Sequence, residues 1–265
     1  MKKVFISADI EGCAGVISWQ ETELGSGEHS LAAQQMTQEV LAVCDVLIAQ
    51  GVKEIVVKDA HDSGKNIFYD QLPEGVKIVR GWLGTPYSMV QGLDETFDAA
   101  IFIGYHGAAS MLGNPLSHTM NLATQKIVVN DMVCSEYLLH AYAAEKFGVP
   151  VIMISGDQMI CEWAESFNPN ITTAPVKEGH GSGAISLNTR DSIKLIKEKT
   201  RLALQNNESC HIKIPEVFNV NITYRRHMDA LKASYYPGVR RIDAYKVNFK
   251  AQSVDELMTT KMFIL

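Results

Sequence analysis

The stretch Val4-Phe5-Ile6-Ser7-Ala8-Asp9-Ile10-Glu11-Gly12 decides the architecture. A run of β-branched and aromatic residues reads as a buried strand, and two carboxylates one residue apart follow it. On extended backbone, residues i and i+2 point to the same side, so Asp9 and Glu11 are expected to project together from the strand's C-terminal end. Open α/β sheets collect their ligands at that edge. Two neighbouring anions repel unless a cation joins them, which makes a metal site one reading. The other is a chain leaving the core for a solvated turn, with Gly12 as the turn signal.

Outward from this strand, residues 28 to 50 carry Leu31, Met36, Val40, Val43, Leu47 and Ile48 at helical spacing, and Gly51 is a plausible stop. Further strands are predicted at 53–58, 76–79, 99–104, 126–129 and 151–154, with a helix over about 135–147. Near-continuous apolar strands alternating with helices predict an α/β fold: a largely parallel sheet with helices on both faces, Rossmann-like and three-layered. Residues 188–206 read as a helix with Asp191 early and basic residues late, matching the helix dipole. From residue 212 the segments are short, with strands at 217–223, 239–242 and 245–249 and helices around 227–232 and from 253. This α+β pattern places an α/β domain over 1–170 and a smaller lobe over 171–265.

At 265 residues the chain is long enough to bury a sizeable core. A net charge of −6 and the lack of any long basic run leave no footprint for nucleic acid. No stretch approaches the ~18 apolar residues that span a bilayer, and the first apolar run is too short and too acidic for a secretory signal. The five scattered cysteines form no C-x-x-C pair, which suits reduced thiols and a cytoplasmic protein.

Polar residues recur at the ends of the predicted strands. Asp59 and His61 follow the second, and His106 follows the one over 99–104. In a parallel sheet these ends share an edge with Asp9 and Glu11. Two carboxylates and two imidazoles suit Zn²⁺, whereas Mg²⁺ and Ca²⁺ favour oxygen alone. His118, beyond a loop of small residues, is a candidate acid or base, with a surface loop histidine as the alternative. Glu136 is a candidate metal ligand, or an acid that favours a helix N-terminus. Asp59 and Asp157 are candidates for orienting the histidines, with solvated turn residues as the alternative. Gly179-His180-Gly181-Ser182-Gly183 fits neither the G-x-S-x-G nucleophile motif nor a P-loop.

The ordered set Ser7-x-Asp9-x-Glu11-Gly12, Asp59-Ala60-His61, Gly104-Tyr105-His106, Ser117-His118-Thr119-Met120 and Asn130-Asp131 before Glu136 resembles the D-aminopeptidase family of dinuclear zinc peptidases. The likeness is strong to about Asp157 and looser beyond. It implies two zinc ions per chain, bridged by Asp9, with Glu11, His61, His106 and Glu136 completing the coordination and His118 as the catalytic residue. It also implies hydrolysis of short peptides with an N-terminal D-amino acid, of the D-Ala-D-Ala type, and a ring-like homo-oligomer such as a decamer. A metal-bound hydroxide would supply the nucleophile without serine or cysteine. The competing readings are a metal-dependent phosphohydrolase or nucleosidase, and a non-catalytic cytoplasmic peptide-binding protein.

Overall fold

Strand β1 (Lys3–Ala8) alternates as a strand buried on both faces must. Val4, Ile6 and Ala8 enter one core, and Phe5 enters a second on the opposite side of the sheet. The computed structural model describes residues 1–265, except for the side chains of 207 and 208. After β1 come α1 (Trp19–Thr22), α2 (His29–Ala49), β2 (Glu54–Asp59), β3 (Lys77–Val79), β4 (Ala99–Tyr105), β5 (Thr124–Val129), β6 (Met132–Val133) and α3 (Glu136–Glu145). There follow β7 (Val151–Asp157), α4 (Gln158–Phe167), β8 (Thr172–His180), β9 (Gly183–Ser186), α5 (Thr189–Ala203), β10 (Phe218–Tyr224), α6 (His227–Ala233), β11 (Arg240–Arg241), β12 (Lys246–Ala251) and α7 (Val254–Ile264).

Seven strands form the main sheet in the order β3-β2-β1-β4-β7-β8-β9, parallel except for the β8–β9 hairpin. Met36, Val40, Val43 and Leu47 of α2, with Ile196 and Ala203 of α5, close one face. On the other face Phe102 and Tyr105 of β4 meet Tyr137 and Leu138 of α3 and Ile160 of α4. Behind α3 lies an antiparallel five-stranded sheet, β11-β12-β10-β5-β6, whose Ile127, Phe218, Ile222 and Phe249 share that core. The expected layered α/β sheet is present.

The sheets do not divide at residue 170. β7 pairs with β8 across that point, so β8, β9 and α5 extend the main sheet. Conversely β5 and β6, from the first part of the chain, pair with β10 to build the smaller sheet. Sequence alternation identifies a strand but not its partner, and a continuous sheet edge at β7 accepted the strand that follows α4.

Candidate metal centre

The order of the parallel sheet places the ends of β2, β1 and β4 side by side, since β1 lies between the other two. Asp9 follows β1, His61 lies just past β2, and His106 directly follows β4. Asp9 and Glu11 do come together, but not through a strand pleat. β1 ends at Ala8, and residues 9–12 form a turn in which Cys13 N–H donates to the Ile10 carbonyl at 3.0 Å. The turn is pressed onto β4, with Asp9 N–H bonded to Ile103 O at 2.8 Å and Gly12 N–H to Gly104 O at 2.7 Å. A side chain at 12 would meet the Tyr105 carbonyl, so glycine is required by close approach. Glu136 opens α3, whose N-cap Ser135 accepts from Leu138 N–H at 3.2 Å.

The two oxygens of Asp9 face different partners. Oδ1 lies 3.2 Å from His61 Nδ1, which is also 2.9 Å from Glu11 Oε2. Oδ2 lies 3.5 Å from His106 Nε2, which is 3.5 Å from Glu136 Oε2. Asp9, Glu11 and His61 thus form one compact donor group, and Asp9, His106 and Glu136 a second, with Asp9 common to both. His118 stands beside the second, its Nε2 3.6 Å from Glu136 Oε1 and its ring stacked on His106 at 4.4 Å. Asp9, Glu11, His106 and Glu136 are nearly inaccessible to solvent, and His61 is buried.

Hydrogen bonds on the far side of each ring fix its orientation. His61 Nε2 lies 2.9 Å from the Thr22 carbonyl, His106 Nδ1 2.9 Å from that of Gly107, and His118 Nδ1 2.9 Å from that of Leu116. A carbonyl only accepts, so each outer nitrogen carries the proton and each inner nitrogen turns its lone pair toward carboxylates. Glu11 Oε2 and His106 Nε2 are buried without a hydrogen-bond partner; the Glu11 oxygen is close to His61 but not aligned with it as an acceptor. Lone pairs directed at carboxylates, with orphaned buried donor atoms among them, fit cations held between the two groups. Mixed nitrogen and oxygen donors fit zinc.

The electrostatics reflect the same crowding. Burial, then the Glu11 and Glu136 carboxylates, push Asp9 well above the usual carboxylate range. Burial opposes the ionised form of Glu136, but His106 and His118 outweigh it and hold the group at about 2. Burial likewise opposes a charged His106, yet Glu136 and Asp9 raise it to about 10. A proton on that inner nitrogen and a metal cation answer the same negative field. Burial and the neighbouring His106 instead lower His118, favouring the neutral imidazole with its lone pair on Nε2.

Asp59 and Asp157 touch no imidazole. Asp59 accepts from Asn66 N–H, Asn66 Nδ2 and Ile67 N–H, and Asn66 Nδ2 donates onward to the His61 carbonyl at 2.8 Å. Asp157 accepts from Gly107 N–H at 2.8 Å and from Asn114 Nδ2 at 3.0 Å, and Asn114 Nδ2 also reaches the Glu11 carbonyl at 3.0 Å. Both aspartates therefore fix the loops that carry the histidines rather than the rings. Sequence reading missed Asn66, Asn114 and the buried Lys177, whose ammonium also donates to the Glu11 carbonyl. An apolar flank around a lysine in β8 was the available signal for the last of these.

The family model described as D-aminopeptidase, peptidase family M55, matches residues 1–263. The chain belongs to the D-aminopeptidase family. A D-aminopeptidase of Bacillus subtilis strain 168 is 31% identical over 257 residues, covering 96% of this chain and 93% of the relative. The solved structure of the Zn-dependent D-aminopeptidase DppA from Bacillus subtilis, described as a self-compartmentalizing protease, matches with a TM-score of 0.93 at 30% identity. That match covers 99% of this chain and 96% of the other.

Proposed function

We propose that this member of the D-aminopeptidase family hydrolyses short peptides and amides with an N-terminal D-amino acid at the Asp9 cluster, using two zinc ions. It is a zinc-dependent D-aminopeptidase, a metallopeptidase. The observation that carries the two-metal reading is the division of Asp9: one oxygen faces His61 and Glu11, the other His106 and Glu136. Asp9 would span both ions, Glu11 and His61 would serve one, and His106 and Glu136 the other.

Zinc, when bound, polarises a scissile carbonyl and lowers the pKa of water to about 7. The remaining work falls to the chain. A cavity of about 400 Å³ opens over the cluster, large enough for a short peptide. His118 lines it with Nε2 toward Glu136 and Nδ1–H anchored on Leu116, so it presents one basic nitrogen to the reaction. Its role is to hold the proton that the leaving amine requires, a contribution of about 10²–10⁴-fold. Asn114 and Lys177 grip the Glu11 carbonyl and keep its carboxylate aimed inward.

The chain assembles as a ring-like homo-oligomer, a decamer, in the cytoplasm. The self-compartmentalizing relative supports the assembly. Among the described residues no helix is long and apolar enough to cross a membrane.

Elemental analysis of protein purified without a metal-affinity tag, combined with a substrate panel, tests the reading. Two zinc ions per chain are expected, with cleavage of D-Ala-D-Ala and D-aminoacyl amides that a chelator abolishes and added Zn²⁺ restores. Chelator-resistant hydrolysis would refute the metal mechanism, and a preference for the L-counterparts would refute the stereochemistry.

A further inference from the structure

Two acids on the cavity wall have no part in the chemistry above. Glu23 and Asp62 line it, and among the described residues no lysine or arginine does. Neither carboxylate is in an ion pair among the described residues. Both flank His61. Asp62 is its chain neighbour, and Glu23 follows Thr22, whose carbonyl accepts from His61 Nε2.

His118 belongs to the other end of the cavity. Its ring stacks on His106 and meets Trp19 edge-on at 5.4 Å. Helix α1 runs between the two ends, with Trp19 against His118 and Thr22 against His61. A four-residue helix covers about 6 Å, nearly the length of two residues of extended substrate. The cavity is therefore polarised. If His118 serves the leaving amine, the C-terminal side of the scissile bond lies at its end and the substrate's N-terminal residue lies at the His61 end. The floor there holds Glu11 Oε2, a buried oxygen without a hydrogen-bond partner.

We propose that Glu23 and Asp62 form an anionic subsite that binds the substrate's N-terminal ammonium and so restrict the enzyme to free N-termini. The proposal rests on the aminopeptidase reading for the direction in which the substrate lies. Asp62 is built into place: its φ of 38° is a left-handed conformation that aspartate tolerates, and its carbonyl accepts from Trp82 Nε1 at 2.7 Å. An acylated N-terminus would set a neutral amide against two carboxylates and lose the charge-assisted contacts.

D-Alanine hydroxamate and propionohydroxamic acid test this, because they share a zinc-binding group and differ only in the ammonium. Calorimetry on the zinc-loaded protein, on Glu23→Gln, on Asp62→Asn and on the double variant gives the preference for the amine-bearing ligand in each. Asparagine keeps the backbone conformation at 62. Each single variant is expected to reduce the preference roughly five- to tenfold, and the double variant to remove most of it. A preference equal to wild type in the double variant would overturn the subsite. Hydrolysis of D-alanyl p-nitroanilide, run in parallel, separates the two readings. A wild-type preference that the variants lose, without turnover, sustains the subsite and removes only the peptidase assignment. Turnover with an unchanged preference removes only the subsite.

Discussion

Replacing Gly12 by alanine should dismantle the centre without altering any proposed ligand. The added Cβ would stand 1.8 Å from the Tyr105 carbonyl oxygen and 2.5 Å from Gly104 C, where ordinary contact begins at 3.4 Å. Both obstacles are backbone, so no rotamer change relieves the clash. The turn over residues 9–12 must lift from β4 by roughly 1.5 Å to regain van der Waals distance. Glu11 lies on one side of that separation and His106 on the other. A misplacement of about 1 Å costs on the order of 10²-fold in rate, so kcat/KM on D-Ala-D-Ala should fall at least that far. Overpacking at this level costs about 1–3 kcal/mol, which for a chain of this size lowers Tm by roughly 3–10 °C. Zinc retained after dialysis against a weak chelator should drop as well. Gly27→Ala is the control, because its added Cβ meets nothing within 4 Å. Wild-type zinc content with turnover within about threefold of normal in Gly12→Ala would refute the reasoning that close approach of β1 and β4 sets the metal geometry.

Asp9→Ala should lose both metals and activity together, read as zinc per chain and turnover; retention of one full equivalent would refute the bridging role. His118→Ala should keep its zinc and lose about 10²–10⁴-fold in kcat, and near-normal turnover would remove its part in proton transfer. Lys261, which is not among the proposed ligands although the Glu136 carboxylate acts on it, provides a pH test. It is buried, donates to Ser88 Oγ at 2.6 Å, and burial pushes its ammonium from 10.5 down to about 8. Between those values the unfolded chain holds a proton that the folded chain has released, so stability rises with pH by up to about 1.4 kcal/mol per unit. Lys261→Met lacks this slope, so wild type should gain denaturation free energy relative to the variant from pH 8 to 10.5. A gap that stays constant would refute the buried-ammonium account.

The parts of the fold that were legible are those where burial leaves a period in the sequence. β1 and β4 bury both faces and read as apolar runs, and α2 and α5 turn one stripe of each helix to the sheet. Partner choice leaves no comparable trace. β5 looks like any strand of the first part, yet it pairs antiparallel with β10 some ninety residues later. β8 and β9 escaped because Gly179 to Gly183 reads as a loop, whereas Gly179 packs its backbone against Gly113 with no room for a Cβ. At the site, Asp9, Glu11, His61 and His106 lie together as their strand-end positions implied, and His118 and Glu136, which the sequence placed on a loop and at a helix start, lie beside them. The expected route for the first pair was a pleat, and the actual route is a turn.

What escaped a sequence reading is the backbone that aims those side chains. The carbonyls of Thr22, Gly107 and Leu116 each hold the outer nitrogen of one imidazole, and a carbonyl is the same group whatever residue bears it. Substituting those three residues would therefore leave the tautomers intact so long as the loops keep their course. That course is set by side chains remote from the metals: Asn66 between Asp59 and the His61 carbonyl, and Asn114 between Asp157 and the Glu11 carbonyl. Each asparagine connects a buried carboxylate to the backbone of a ligand-bearing residue, and both of those residues, His61 and Glu11, lie on the same side of the Asp9 cluster. Their amides, rather than the three carbonyl-bearing residues, are where substitution should loosen the centre, since removing either one breaks the link between a buried carboxylate and a ligand loop and leaves the His61 carbonyl to Gly64 N–H, or the Glu11 carbonyl to Lys177, alone.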